Sequence, residues 1–205
     1  MSKKPTLLQL VADSPMGNLK LIPRFSDTYM HRRESVSDHN WDLISMSLVL
    51  VPEINKDLKK PLDLKEILYR IIVHDLDESG SIDVPRPFKY FDPELKDMLD
   101  KVSLEILRSK GVAENIINDI KFAKDISKPE GLFVKILDVI QPGMVMVSEV
   151  MIGNQVMKKE FPNVIGCLTN FMEMIDNESL NLEEKLRSRL HDLMFEVINY
   201  MEKFQ

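Results

Sequence analysis

Four residues in this chain stand where apolar side chains belong. His39 lies between Val36 and Leu43 on the stripe Val36, His39, Leu43, Met46 and Leu50, which steps by three and four. Asp75 follows Ile72 by three and Ile71 by four, so it extends the stripe Leu64, Ile67, Leu68, Ile71 and Ile72, and His74 is its neighbour. Asp138 sits inside the run FVKILDVI at 133–140. A lone buried carboxylate costs several kcal/mol unless it is partnered. No Lys or Arg is expected to answer these groups from the same helical faces. One divalent cation would satisfy all four, taking two imidazole nitrogens and two carboxylate oxygens.

Order distinguishes this set from accident. His, then His-Asp, then Asp fall on three separate apolar segments. A second His-Asp pair, His191-Asp192, has no later Asp, acidic loop or proline turn, and reads as surface or helix packing. The other two histidines, His31 and His191, lie at no suitable spacing to join the set. The expectation is one divalent transition metal, Co, Mn, Zn or Fe. A metal with open positions lowers the pKa of a bound water, so the residues alone point to a helical metalloprotein of hydrolytic type.

The elements that must position these groups read as helices throughout. Glycine is scarce, with seven in 205 residues, and strand-like alternation is almost absent, so the fold class is all-α. The periodicity predicts helices over 6–21, interrupted or ended near Ser14-Pro15, and over 36–51. A third spans 64–77, opened by a capping box of Asp63 and Glu66. Helices over 94–109 and 113–125 follow, separated by Gly111. Pro129 starts a helix apolar nearly all round, which Pro142-Gly143 should bend or end. Helices near 144–158 and 183–203 complete the chain, with Pro162 and 176–182 as breaks.

Length fits a single domain, 1–205, with a core at about 15–150 and C-terminal helices at about 151–205. The formal net charge of −6 argues against long nucleic acid as a partner. The single Cys167 fits a reducing cytoplasm. The apolar patch near the N-terminus is too short for a signal segment. The run MSLVLV at 46–51 falls far short of a membrane span, so no membrane association is expected.

Four blocks carry a family resemblance: LKLIPRF at 19–25, RRESVSDH at 32–39, HDLDESGSIDVPRPFKYF at 74–91 and FVKILD at 133–138. The third resembles the signature His-Asp-x-x-Glu-x-x-x-x-Asp-x-Pro-x-Pro-x-Lys-Tyr-Phe of the HD-domain metal phosphohydrolases, in their bacterial 5′-deoxynucleotidase branch. The resemblance implies an HD-domain helical bundle with a central metal site. It implies His39, His74, Asp75 and Asp138 as ligands, Glu78 as catalytic acid and Asp83 as a second catalytic or sugar-contacting acid. It implies Arg24 as the phosphate-binding arginine, and sets Phe25 where the family usually has Trp beside sugar and base.

Lys89 could add positive charge. Arg32 matches a family arginine, although an ion pair of Arg32 or Arg33 with Glu34 or Asp38 is the other reading. The activity implied is release of phosphate from deoxynucleoside 5′-monophosphates. A related phage branch, with the same ligand set, releases triphosphate from dATP. A third possibility, a non-catalytic helical interaction protein with a structural metal, leaves Glu78 and Asp83 unexplained. Relatives form dimers or larger rings. Apolar residues past 150 (Met151, Ile152, Val156, Met157, Leu190, Leu193, Met194, Phe195, Ile198) exceed one buried stripe, so a homo-oligomer is expected.

Overall fold

The computed structural model describes residues 15–80, 93–176, 180 and 182–205. Among them the chain is helical, with one isolated bridge between Pro23 and Ser35 in place of any strand. A short helical turn (Pro15–Asn18) and a 3₁₀ turn (Leu19–Leu21) lead to α1 (Val36–Asn55) and α2 (Leu64–Val73). A 3₁₀ segment (Leu76–Gly80) precedes α3 (Pro93–Ser109), α4 (Glu114–Ala123) and α5 (Pro129–Met151). A further 3₁₀ segment (Gln155–Glu160), α6 (Phe161–Asp176) and α7 (Glu184–Glu202) complete it. The predicted 6–14 lies outside the described residues.

α5 is the axis. It packs against α1, α2, α6 and α7. By length and composition it could cross a bilayer, but 78% of its most apolar window is buried within the protein, as expected of a core helix. Pro142 does not end it. The proline withholds the N–H that the Asp138 carbonyl would receive in a regular helix. Tertiary packing outweighs that loss: a Cβ on Gly143 would already lie 3.0 Å from Met201 Sδ and Val164 Cγ1. The helix expected near 144–158 is therefore the end of α5 followed by 3₁₀ structure. Pro162, read as a break, occupies the first turn of α6, where a missing N–H is tolerated.

Two apolar clusters form the interior. The larger gathers Leu43, Ile67, Ile71, Leu137 and much of α5, α6 and α7. The smaller gathers Leu19, Ile22, Val36, Val73, Leu76, Leu107, Ile117 and Ile120. α1 passes from the smaller cluster at Val36 to the larger at Leu43, with His39 between them. α2 passes the other way, from Ile71 to Val73, and His74 and Asp75 follow at once. The polar groups thus sit where the two clusters meet.

Arg70 fixes α2 to the α4–α5 connection. It is fully buried, donates to Glu66 Oε1 through Nε at 3.0 Å and Nη2 at 2.8 Å, and reaches the Phe122 and Asp125 carbonyls through Nη1. Its guanidinium lies 3.9 Å over the Phe122 ring. Gly131 leaves room for this arrangement, because a Cβ there would fall 1.9 Å from the Asp125 carbonyl oxygen. Glu66, expected to complete a capping box with Asp63, is engaged by Arg70. Asp63 alone caps α2, accepting from the Lys65 and Glu66 N–H groups.

The apolar residues past 150 divide. Met157, Leu190 and Met194 are buried, whereas Met151, Ile152, Val156 and Phe195 stay exposed.

Candidate metal centre

α1 begins with a capping box. The Ser35 hydroxyl accepts from the Asp38 N–H, and Asp38 Oδ2 accepts from the Ser35 N–H. Asp38 is thereby used as a cap, and no ion pair with Arg32 is needed to explain it. The cap places His39 one turn into the helix with its ring fully buried. Asp138 reaches the same point from the middle of α5.

α2 ends sooner than its apolar pattern predicts, at Val73 and not at 77. The His74 Nδ1–H donates to the Ile71 carbonyl at 2.8 Å, the acceptor that the Asp75 N–H would use in a continuing helix. The chain tightens into the 3₁₀ segment, where the Glu78 N–H donates to the Asp75 carbonyl at 3.0 Å. Glu78 is buried on this turn, so it does not follow His74 along a continuous α-helix. Lys124, the C-cap of α4, holds the turn from outside, its Nζ 2.6 Å from Asp77 Oδ2.

The four expected ligands converge. His39 Nε2 lies 3.1 Å from Asp138 Oδ1 and 3.9 Å from Asp75 Oδ2, and His74 Nε2 lies 3.1 Å from Asp75 Oδ2. Ligand atoms of His39, His74 and Asp138 all fall within 4.8 Å of one another. His74 Nε2 is buried and makes no well-directed hydrogen bond. With its Nδ1 proton committed to Ile71, this nitrogen turns a lone pair toward carboxylate oxygens. That is repulsive unless a proton or a cation lies between them, so the donor set fits a divalent metal.

The charges tell the same story. Burial pulls His39 below the ordinary imidazole pKa, with the Arg24 charge adding to it. At His74 burial again opposes charge, but the Asp75 carboxylate, with Asp138 behind it, brings the net shift upward. Burial works against an ionised Asp75, yet the adjacent His74 and then His39 hold it well below the usual carboxylate range. A divalent ion bound among these groups would favour the ionised carboxylates and neutral imidazoles.

Arg24 also arrives. Its N–H donates to the Glu34 carbonyl at 2.8 Å, and the Val36 N–H donates to the Ile22 carbonyl at 3.0 Å, a small clasp beside the start of α1. The clasp sets Arg24 Nη1 3.9 Å from Asp75 Oδ2. Phe25, next to it, is half-buried with a positive φ of 52°, a strained conformation for a bulky residue. The connection from there to α1 is tethered by Glu149 of α5, which accepts from the His31 N–H at 2.7 Å and the Arg32 N–H at 3.0 Å. The Arg32 side chain is exposed. Asp83 and Lys89 lie outside the described residues. His191 faces Asp176 of α6 at 3.8 Å, in keeping with a packing role.

One expectation fails. Lys135, three residues before Asp138, does lie at helical spacing, and its Nζ is 2.7 Å from Asp138 Oδ2. A half-buried lysine can swing its long stem along the helix to a carboxylate one turn away. Sequence reasoning also passed over Gln141, whose Oε1 is 2.7 Å from His39 Nδ1. Its signal was available: a glutamine one turn after Asp138 within an apolar run.

A family model described as YfbR-like 5′-deoxynucleotidase matches residues 14–182, a span that includes Arg24, Glu78 and all four converging side chains. The chain belongs to this family. It is similar to a 5′-deoxynucleotidase of Shewanella oneidensis, 30% identical over 87 residues. That match spans 42% of this chain and 45% of the relative, less than half the length of the curated protein. Its fold is that of the HD-domain phosphohydrolases. A Listeria innocua HD-domain phosphohydrolase superposes with a TM-score of 0.67 at 19% identity, covering 93% of this chain and 98% of the other. A cyanophage S-2L HD phosphohydrolase, solved with dA and one catalytic Zn²⁺ ion, superposes with a TM-score of 0.62 at 14% identity, covering 99% of both chains.

Proposed function

We propose that this member of the YfbR-like family is a metal-dependent phosphohydrolase that releases phosphate from deoxynucleoside 5′-monophosphates. The observation that carries this reading is the convergence of His39, His74, Asp75 and Asp138 with the Arg24 guanidinium beside them.

His39, His74, Asp75 and Asp138 would hold the ion, and a bound divalent ion polarises a phosphate oxygen and acidifies a water. Arg24 offers a planar fork of N–H donors to the phosphate. Glu78, buried three residues after Asp75, orients the attacking water or takes its proton. Asp83 is assigned to the leaving 5′ oxygen or the 3′-hydroxyl, Phe25 to the sugar and base, and Arg32 and Lys89 to additional positive charge. The apolar clusters around the ligands exclude bulk water and so strengthen every charge interaction at the phosphate.

A second reading keeps the site and changes the bond cut, releasing triphosphate from a dNTP. Two observations favour retaining it: the fold is shared with the cyanophage enzyme, and Arg32 and Arg33 are exposed. Incubation with dAMP and dATP in Mn²⁺ or Co²⁺, with phosphate, pyrophosphate and triphosphate resolved, separates the two. Phosphate from dAMP is expected. Triphosphate from dATP with dAMP untouched would favour the second reading.

A homo-oligomer in the cytoplasm completes the proposal. The exposed Met151, Ile152, Val156 and Phe195 support self-association. Light scattering at micromolar concentration is expected to give a multiple of the chain mass, and a monomer would remove this part.

A further inference from the structure

We propose that Gln141 is a positioning residue that keeps the His39 proton on Nδ1, so that Nε2 stays a bare lone pair aimed at the metal position. The proposal rests on the metal reading above.

The 2.7 Å contact between His39 Nδ1 and Gln141 Oε1 does not by itself say which atom carries the proton. An amide can turn either its oxygen or its NH₂ toward an imidazole. The other side of Gln141 decides. Its Nε2 lies 2.8 Å from Glu34 Oε1 and 3.0 Å from Asp42 Oδ2. An amide nitrogen has two hydrogens, and two carboxylate oxygens take both. The amide oxygen is left facing His39, and it can only accept. The proton on that side must then belong to Nδ1. Turning the amide over would set its oxygen against two carboxylates. Gln141 is 1% exposed and Glu34 7%, so little water could compensate.

A competitor makes this arrangement matter. Asp138 Oδ1 lies 3.1 Å from His39 Nε2 and would accept a proton there. In a chain lacking the Gln141 acceptor, the neutral ring gains by moving its hydrogen to Nε2 and donating to Asp138. That hydrogen would then occupy the position a cation needs. His74 solves the same problem with a main-chain carbonyl, Ile71. His39 needs a side chain, and that side chain is held by Glu34 at the approach to α1 and Asp42 on α1. Gln141 stands one turn after Asp138 on α5, so the bracket also ties the two ligand-bearing helices together.

The test reads the ring directly. Long-range ¹H–¹⁵N correlation on the metal-free wild-type protein at pH 8 is expected to show His39 as the Nδ1–H tautomer. An Nε2–H signal there would overturn the proposal with no variant needed. Gln141→Leu, which keeps the volume and loses the amide, is expected to shift His39 toward Nε2–H. Its Kd for Co²⁺ or Zn²⁺, from chelator competition, should rise about 10–100-fold with the helical fold intact by circular dichroism. An unchanged Kd in a folded Gln141→Leu protein would likewise overturn it. The underlying metal reading fails differently: the wild-type chain would bind no metal whatever tautomer His39 takes.

Discussion

Replacing Glu78 with Ala leaves the metal bound and lowers kcat by about 10²–10⁴-fold, the range for a lost general acid–base or water-orienting group. The separation follows from position. His39, His74, Asp75 and Asp138 converge without Glu78, which sits on the 3₁₀ turn beyond them, buried and with its N–H bonded to the Asp75 carbonyl. That turn is anchored from outside by Lys124 on Asp77, so loss of the Glu78 carboxylate should not release it. Nucleotide binding should survive, because Arg24 and the ligands are untouched. The check is metal content, kcat and KM measured on one preparation with dAMP. A Glu78→Ala protein with wild-type kcat would remove Glu78 from the chemistry and restore the case for a non-catalytic helical protein with a structural metal.

The polar cluster was legible because burying polar groups is expensive. A histidine or aspartate at apolar spacing stands out against its stripe, and His39, His74, Asp75 and Asp138 all did. What the sequence could not convey was the competition for backbone acceptors and the reach of long side chains. The stripe of α2 continues to Asp75, yet the helix stops at Val73, where the His74 ring takes the Ile71 carbonyl. Lys135 and Gln141 belong to the centre through contacts that depend on rotamers, not on periodicity.

The polar stretch 176–182 does separate two helices, but a helix end at Pro142 and a break at Pro162 failed for a related reason. Pro142 and Pro162 were read alike, from intrinsic conformational preference. Pro162 falls in a first turn, where proline fits. Pro142 falls inside the most buried helix of the protein, where packing against Val164 and Met201 overrides one lost hydrogen bond. Nor does periodicity reveal that the interior is divided in two. The smaller cluster joins Leu19 and Val36 to Leu107 and Ile117, residues far apart in the chain.

Asp138→Ala and His74→Ala are expected to lose metal and activity together. Each removes a donor atom from a set in which no spare histidine is available: His31 is exposed and stacks edge-on with Tyr29, and His191 faces Asp176. Three protein donors hold a divalent ion less tightly than four, and the lost carboxylate or imidazole is not replaced from this chain. Asp138→Ala also leaves the Lys135 ammonium, 2.7 Å from the missing oxygen, to push the cation away. His191→Ala should bind metal and turn over as the wild-type chain does. The decisive measurement is metal per chain and phosphate released from dAMP, taken on the same preparations of wild-type, Asp138→Ala and His191→Ala protein. One metal per chain with phosphate release is expected in the first and third, and neither in the second. An Asp138→Ala protein with full metal content and normal turnover would contradict it.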